Sequence, residues 1–195
     1  MKLDIVFSGV GGQGVVVLSD VYCEAAILDG FDVAKAEIHG MAQRGGSIVA
    51  YARIGDKVES PLIETGKADV VVGFEILETA RALPMLKNGG DVIVNMKYIP
   101  PNCAALGVKP KKTEELMAMM RSKANVHEVD GMGIAEKLGN TLVVNTVLLG
   151  ALSALPEIPI KLESFQQAIA GRLKQKYIEL NLKAFKLGRD SVKMS

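Results

Sequence analysis

The chain has two cysteines, two histidines and no tryptophan among its 195 residues. Cys23 and Cys103 stand apart, with no neighbouring thiol. That spacing excludes a CxxC-type zinc or iron–sulfur site built from this chain alone, and the two are expected to be free thiols in a reducing compartment. With only His39 and His127, any chemistry that needs several imidazoles is also out of reach. Long apolar runs are missing, as is a basic N-terminal leader, so neither a signal peptide nor a membrane span is expected and the location should be cytoplasmic. Neither sign of charge dominates: Lys+Arg 23 against Asp+Glu 22 leaves +1. No global field therefore draws the protein to nucleic acid or to an acidic membrane, and any anion recognition must be local. A G-K-[ST] phosphate loop, a metal-ligand cluster and a nucleophile elbow are likewise missing, which leaves the chain without catalytic candidates of its own.

What is present is apolar material, 49% of the chain, enough for one sizeable core, and residues 1–195 are expected to form a single domain. Residues 3–7 read as a buried strand. The steps Leu18, Val21, Ala25 and Leu28 predict a helix over 15–28. Strands are expected at 31–39 and 47–54, the latter placing Ile48, Ala50, Ala52 and Ile54 on one face and closing on a tight hairpin turn at Gly55 and Asp56. Ser60, Pro61 and Gly66 suggest a short capped helix. The runs "DVVVGF" and "DVIVN" read as strands covered on both faces. Between them lies a helical pattern, interrupted by Pro84, of the right length for a parallel crossover. A helix beginning at a Thr113 cap, a short strand over 126–129 and two helices separated by Gly139 follow. The apolar residues Phe165, Ile169, Leu173, Tyr177, Leu180, Ala184 and Leu187 describe one face of a closing helix.

The stretch "SGVGGQG" follows the first strand and precedes the first helix, so Gly9, Gly11 and Gly14 meet the G-x-G-x-x-G spacing in the context where it has mechanical meaning. Glycines there allow a tight turn and close approach of a phosphate to the amides that open the helix. Glu37, at the end of the second strand, would then suit a ribose hydroxyl, and a dinucleotide site is the first reading. The chain opposes its completion. Only seven residues, 40–46, join the second strand to the third, whereas a parallel crossover needs a dozen or more. The third strand is therefore expected antiparallel to the second. The fold class that results is α/β, a three-layer α/β/α arrangement with a mixed, mostly parallel sheet, Rossmann-like at its start without a complete dinucleotide-binding half. A purely structural turn also accounts for the glycines. The loop "HGMAQRGG" is the second constellation. It joins His39, Gln43 and Arg44 to Gly40, Gly45 and Gly46, and suits either an anion, a contact to a partner protein, or an ordinary solvated connection.

The segments "GVGGQGVVVLSD", "AEIHGMAQRGGSIVAYARIG", "NTVLLGALSAL" and "ELNLKAFKLG" together resemble the gamma-type subunits of the 2-oxoacid:ferredoxin oxidoreductases, from Asp4 to Gly188. The resemblance implies oxidative decarboxylation of a 2-oxoacid to an acyl-CoA, with electrons passed to ferredoxin; indolepyruvate or another aryl pyruvate is the first expectation for the acid, and an aliphatic 2-oxoacid stays open. It also implies a large partner subunit that carries thiamine diphosphate and the iron–sulfur clusters, with ferredoxin engaged through the complex. The small chain would bind no cofactor alone and would offer a coenzyme A site. By the same resemblance Gly9, Gly11, Gly12, Gln13 and Gly14 form one binding loop, and His39, Gln43, Arg44, Gly45 and Gly46 the other. Asn145 and Asn181, polar residues on apolar helices, read as internal caps or as markers of the seam with the large chain. A free-standing NAD(P)-dependent dehydrogenase and a nucleotide-binding regulatory module stand as the alternatives.

Overall fold

Alternation along the first strand decides the architecture: Leu3, Ile5 and Phe7 enter one apolar core and Val6 enters another on the opposite face. A strand buried on both sides requires helices on both sides. The computed structural model describes residues 1–40, 45–101 and 109–193. In chain order the elements are β1 (Lys2–Val10), α1 (Val15–Leu28), β2 (Asp32–His39), β3 (Ser47–Gly55), β4 (Ala68–Gly73), α2 (Ile76–Ala82) and β5 (Leu86–Asn95). Then come α3 (Thr113–Arg121), β6 (Asn125–Val129), α4 (Gly131–Lys137), α5 (Val144–Ser153), α6 (Leu162–Arg172) and α7 (Gln175–Lys193). The sheet order is β2-β3-β1-β4-β5-β6. β3 runs antiparallel to both of its neighbours, β2 and β1, and the β1, β4, β5 and β6 pairings are parallel. The sheet is thus mixed and mostly parallel, as the short connection after β2 requires.

Helices α1, α5, α6 and α7 cover one face, where Phe7, Tyr22, Phe165 and Phe185 form a line of rings with centroids 5.8, 6.4 and 5.6 Å apart. Helices α2 and α3 cover the other with Ile76, Ala80, Leu116, Met117 and Met120. Burying each of the larger side chains contributes about 1.5 to 3 kcal/mol. On the thicker side α5 and α7 cross with glycine against backbone. A methyl group at Gly150 would overlap the Phe185 carbonyl, and one at Gly188 would overlap the Val147 carbonyl. Cys23 is buried beside this core, and burial pushes its thiol up to about 12, so it is an inert thiol. Cys103 lies outside the described residues. No helix among the described residues is long and apolar enough to cross a membrane.

Four local expectations are corrected. Gly55 and Asp56 do not form a hairpin, because β3 and β4 lie on opposite sides of β1 and the chain must pass under it; the Asp56 amide donates instead to the Met1 carbonyl at 3.1 Å. Residues 60–66 form no helix. The Ser60 hydroxyl accepts the Leu62 amide at 3.3 Å and its carbonyl accepts Arg53, so the serine caps a turn too short to nucleate helix. Thr113 is the first helical residue of α3 and not its cap, a place taken by Lys112 in extended conformation without a side-chain bond. The closing apolar stripe spans two helices, since Leu173 is extended at φ −110° and ψ 147°. One straight helix over that length would run to about 48 Å, well past the core it must cover. The break lets α6 pack on α1 and α7 on α5, and it leaves Tyr177 and Leu187 exposed at 41% and 42%. The kink expected at Pro84 is present as a short 3-10 turn, Leu83–Met85.

Candidate functional site

The parallel strands β1, β4, β5 and β6 all end at the same edge of the sheet, where β2 also ends and the reversed β3 begins. Between β1 and β4 the connections part, α1 passing to one face and α2 to the other. Such a divergence at the strand ends is where α/β sheets take their ligands. The first glycine loop lies there. Gly14 caps α1 at φ 86°, a left-handed backbone, and the helix receives no side-chain cap, so its first-turn amides have no capping partner among the described residues. Amides so arranged at a helix start favour an anion. Gly12, at φ 98°, faces open space.

The other loop residues hold this shape. A Cβ at Gly9 would sit 2.8 Å from Gln13 Oε1, Phe74 Cβ and Val15 Cγ2 alike, so glycine there permits close packing. Gln13 turns inward: its Oε1 accepts the Val10 amide at 2.7 Å and its Nε2 donates to the Phe74 carbonyl at 3.3 Å. The Gly11 amide donates to the Gly46 carbonyl at 2.9 Å, and this bond brings the two glycine loops together. On the second loop, Gly40 closes onto the Ser47 carbonyl at 2.9 Å, Gly45 is left-handed at φ 75°, and His39 Nε2 lies 2.9 Å from Glu37 Oε2. Gln43 and Arg44 lie outside the described residues.

Glu37 is far from a ribose role. β3 stands between β2 and β1, so Glu37 is two strand spacings, about 10 Å, from the glycine-loop strand. Its carboxylate is already engaged by Lys35 and His39, whose hydrogen bonds hold it below the usual carboxylate range. The sequence reading missed two buried carboxylates at this edge. Glu75, wholly buried, caps α2 by accepting the Leu77 amide at 3.0 Å and the Glu78 amide, and also takes Ile99 N–H at 3.2 Å; burial pushes its pKa up. Glu78 accepts the Ser47 hydroxyl at 2.6 Å and pairs with Arg81. The signal was an acid placed directly between the strand "DVVVGF" and a helical period, which is the place of an N-cap.

Asn145 lies against the same loop, its Nδ2 3.1 Å from where a Gly14 Cβ would stand. Asn181 accepts the Thr146 hydroxyl at 2.6 Å and donates to the Tyr177 carbonyl at 2.9 Å, so it is an internal cap. Both asparagines line a cavity of about 470 Å³ between α1, α5 and the α6–α7 junction, whose rim carries Val17, Leu142 and Tyr177 at 46%, 82% and 41% exposure.

Residues 4–191 match the family model described as pyruvate ferredoxin/flavodoxin oxidoreductase. Over 190 residues the chain is 41% identical to the indolepyruvate oxidoreductase subunit IorB of Archaeoglobus fulgidus, covering 96% of this chain and 94% of that protein. It is 32% identical over 185 residues to the common gamma subunit of the pyruvate/ketoisovalerate oxidoreductases of Thermococcus kodakarensis, with 93% and 92% covered. Among solved structures, the pyruvate oxidoreductase subunit PORC of Thermotoga maritima superposes with a TM-score of 0.74 at 26% identity, over 97% of this chain and 96% of that one.

Proposed function

The chain belongs to the pyruvate ferredoxin/flavodoxin oxidoreductase family as a small, gamma-type subunit, and from that premise we propose that its enzyme oxidises an aryl pyruvate such as indolepyruvate. The observation that carries the substrate class is identity: 41% to an indolepyruvate subunit against 32% to a pyruvate/ketoisovalerate one, each over nearly the whole chain. In the proposed reaction the bond between the carbonyl carbon and the carboxylate breaks, carbon dioxide leaves, the acyl group passes to the sulfur of coenzyme A as its thiol loses a proton, and the two electrons go to ferredoxin. Thiamine diphosphate would supply the stabilised carbanion and iron–sulfur clusters the electron path, both on a large partner, since two separated cysteines cannot ligate a cluster.

What this chain contributes is an anion seat and a surface. The amides opening α1 fit a phosphate, Gly12 leaves open space beside them, and the Gly11 to Gly46 bond brings Gly46 of the second glycine loop alongside. We assign the phosphate to coenzyme A. The apolar rim Val17, Leu142 and Tyr177, adjoining Gly14, is the proposed seam with the large subunit, since exposed apolar clusters of this kind mark interaction sites.

The test is calorimetric titration of the assembled complex with coenzyme A and, separately, with NAD. Coenzyme A binding that falls in Gly14→Ala and in Arg44→Ala supports the reading. NAD binding without coenzyme A binding overturns it in favour of a dehydrogenase, against which Glu37 already stands by its position on the sheet.

A further inference from the structure

The carbonyl of Phe74, just past β4, receives two side-chain amides, Gln13 Nε2 at 3.3 Å and Asn95 Nδ2 at 3.0 Å. Each amide uses its other end on a backbone N–H. Gln13 Oε1 accepts Val10 at 2.7 Å, and Asn95 Oδ1 accepts Gly131 at 3.1 Å. The result is one unbroken line of four hydrogen bonds across the ends of β1, β4 and β5 to the first residue of α4. Asn95 and Phe74 are buried, whereas Gln13 at the other end of the line is half-buried. Glycines stand at both ends for steric reasons: a Cβ at Gly9 would press on Gln13 Oε1 at 2.8 Å, and one at Gly131 on Asn95 Oδ1 at 2.9 Å.

The chemistry of the line is specific. A primary amide donates and accepts at once without titrating, so the same geometry holds at any physiological pH. Both lone pairs of the Phe74 oxygen are engaged. If the Asn95 donor is lost, the carbonyl and the Gln13 amide are free to shift together, and Gln13 is the residue that shapes the loop between Val10 and Gly14. A carboxylate at either amide position would set negative charge against the shared carbonyl.

We propose that Asn95 is a positioning residue for the anion-accepting glycine loop, acting on Gln13 through the Phe74 carbonyl that both amides share. This rests on the reading of that loop as a phosphate seat. It assigns Gln13 to the inside of the loop, where it sets the loop's shape, and it couples loop occupancy to the start of α4 some 120 residues further along the chain.

The experiment measures amide hydrogen exchange in peptides spanning 8–16 and 129–136, on the full chain alone and in complex with its large partner, together with coenzyme A affinity of the complex. Asn95→Asp keeps the acceptor for Gly131 and removes the donor to Phe74. Exchange over 8–16 should rise several-fold while α6 and α7 stay protected, and coenzyme A binding should weaken about tenfold. Asn95→Leu combined with Gln13→Leu should cost less than the two changes summed, because both remove donors to one carbonyl. Exchange over 8–16 that stays at the unmodified level while 129–136 loosens would overturn the proposal and leave Asn95 as a cap for α4 only. Should Asn95→Asp fail to fold, Gln13→Leu makes the reciprocal test: exchange over 129–136 must rise, and if it does not the coupling is refuted. Absence of coenzyme A binding in the unmodified complex would remove the phosphate reading and with it the functional half of the proposal, whereas the exchange data judge the mechanical half independently.

Discussion

The two edges of the sheet solve opposite problems. At the edge where the parallel strands begin, charges close on one another: Arg53 grips buried Asp4 through two hydrogen bonds at 2.8 and 2.9 Å, Asp69 accepts the Asp4 amide and pairs with Lys87, and His127 pairs with Asp91. At the edge where they end, the buried carboxylates Glu75 and Glu78 are engaged in capping α2 and by Ser47 and Arg81, the side-chain amides of Gln13 and Asn95 share one carbonyl, and the start of α1 has no side-chain cap among the described residues. Self-satisfied charge makes a foundation, while unsatisfied backbone donors invite a ligand. A fold can therefore stabilise itself at one edge and spend its irregular backbone at the other.

The comparison breaks first, and by the largest effect, at Arg53. Asp4 and Arg53 are both well buried, so Arg53→Ala leaves a carboxylate short of its partner and should cost about 3 kcal/mol, softened by Lys2 at 3.0 Å, in urea unfolding. Coenzyme A affinity of whatever complex assembles should stay unchanged, which keeps the edges distinct. Gly14→Ala reverses the pattern. An L side chain in the left-handed region beside Asn145 should cost about 1 kcal/mol in stability, and coenzyme A binding by calorimetry should fall about tenfold.

A smaller effect concerns pH. Glu157 lies beside Asp91, with His127, Lys87 and Asp69 completing the group; burial raises its pKa first, and Asp91 raises it further, while His127 opposes. Because its folded pKa lies above its unfolded one, Glu157 contributes stability that is fully present below about pH 4 and is lost as pH rises through the folded value. Glu157→Gln should therefore flatten the pH dependence of thermal unfolding above that point and stabilise the chain slightly at neutral pH. A Glu157→Gln profile parallel to that of the unmodified chain would show the foundation edge to be insensitive to this carboxyl. The smallest effect is expected at Lys57, paired with Glu59 in full solvent, where Lys57→Ala should leave the unfolding midpoint where it was.

Local rules carried the sequence reading far. The bounds of α1 follow from apolar spacing alone, and the reversal of β3 follows from the length of one connection. Where the reading failed, the deciding partner was distant or was backbone. Apolar spacing continues through Leu173, so nothing in the period marks the turn that separates α6 from α7. Gln13 and Asn95 meet at a carbonyl, a group every residue carries, and no pattern of side chains announces it. The family resemblance named both glycine loops as a site, but the bond from Gly11 to Gly46 that joins them is a tertiary fact. Glu75 was legible in principle as a cap and was hidden by the stronger apolar signal around it.

The crossing of α5 and α7 bears on which sequences this fold can accept. Ordinary core positions tolerate exchange because a gain in volume on one side can be matched by a loss on the other. At Gly150 and Gly188 each residue faces a carbonyl of the opposite helix, and the opposing atom is one that no substitution removes. Neither position can trade volume with a neighbour, and no residue is smaller than the one already there. In a library that varies every position while selecting for assembly, these two should accept a single letter, and double mutants should offer no escape.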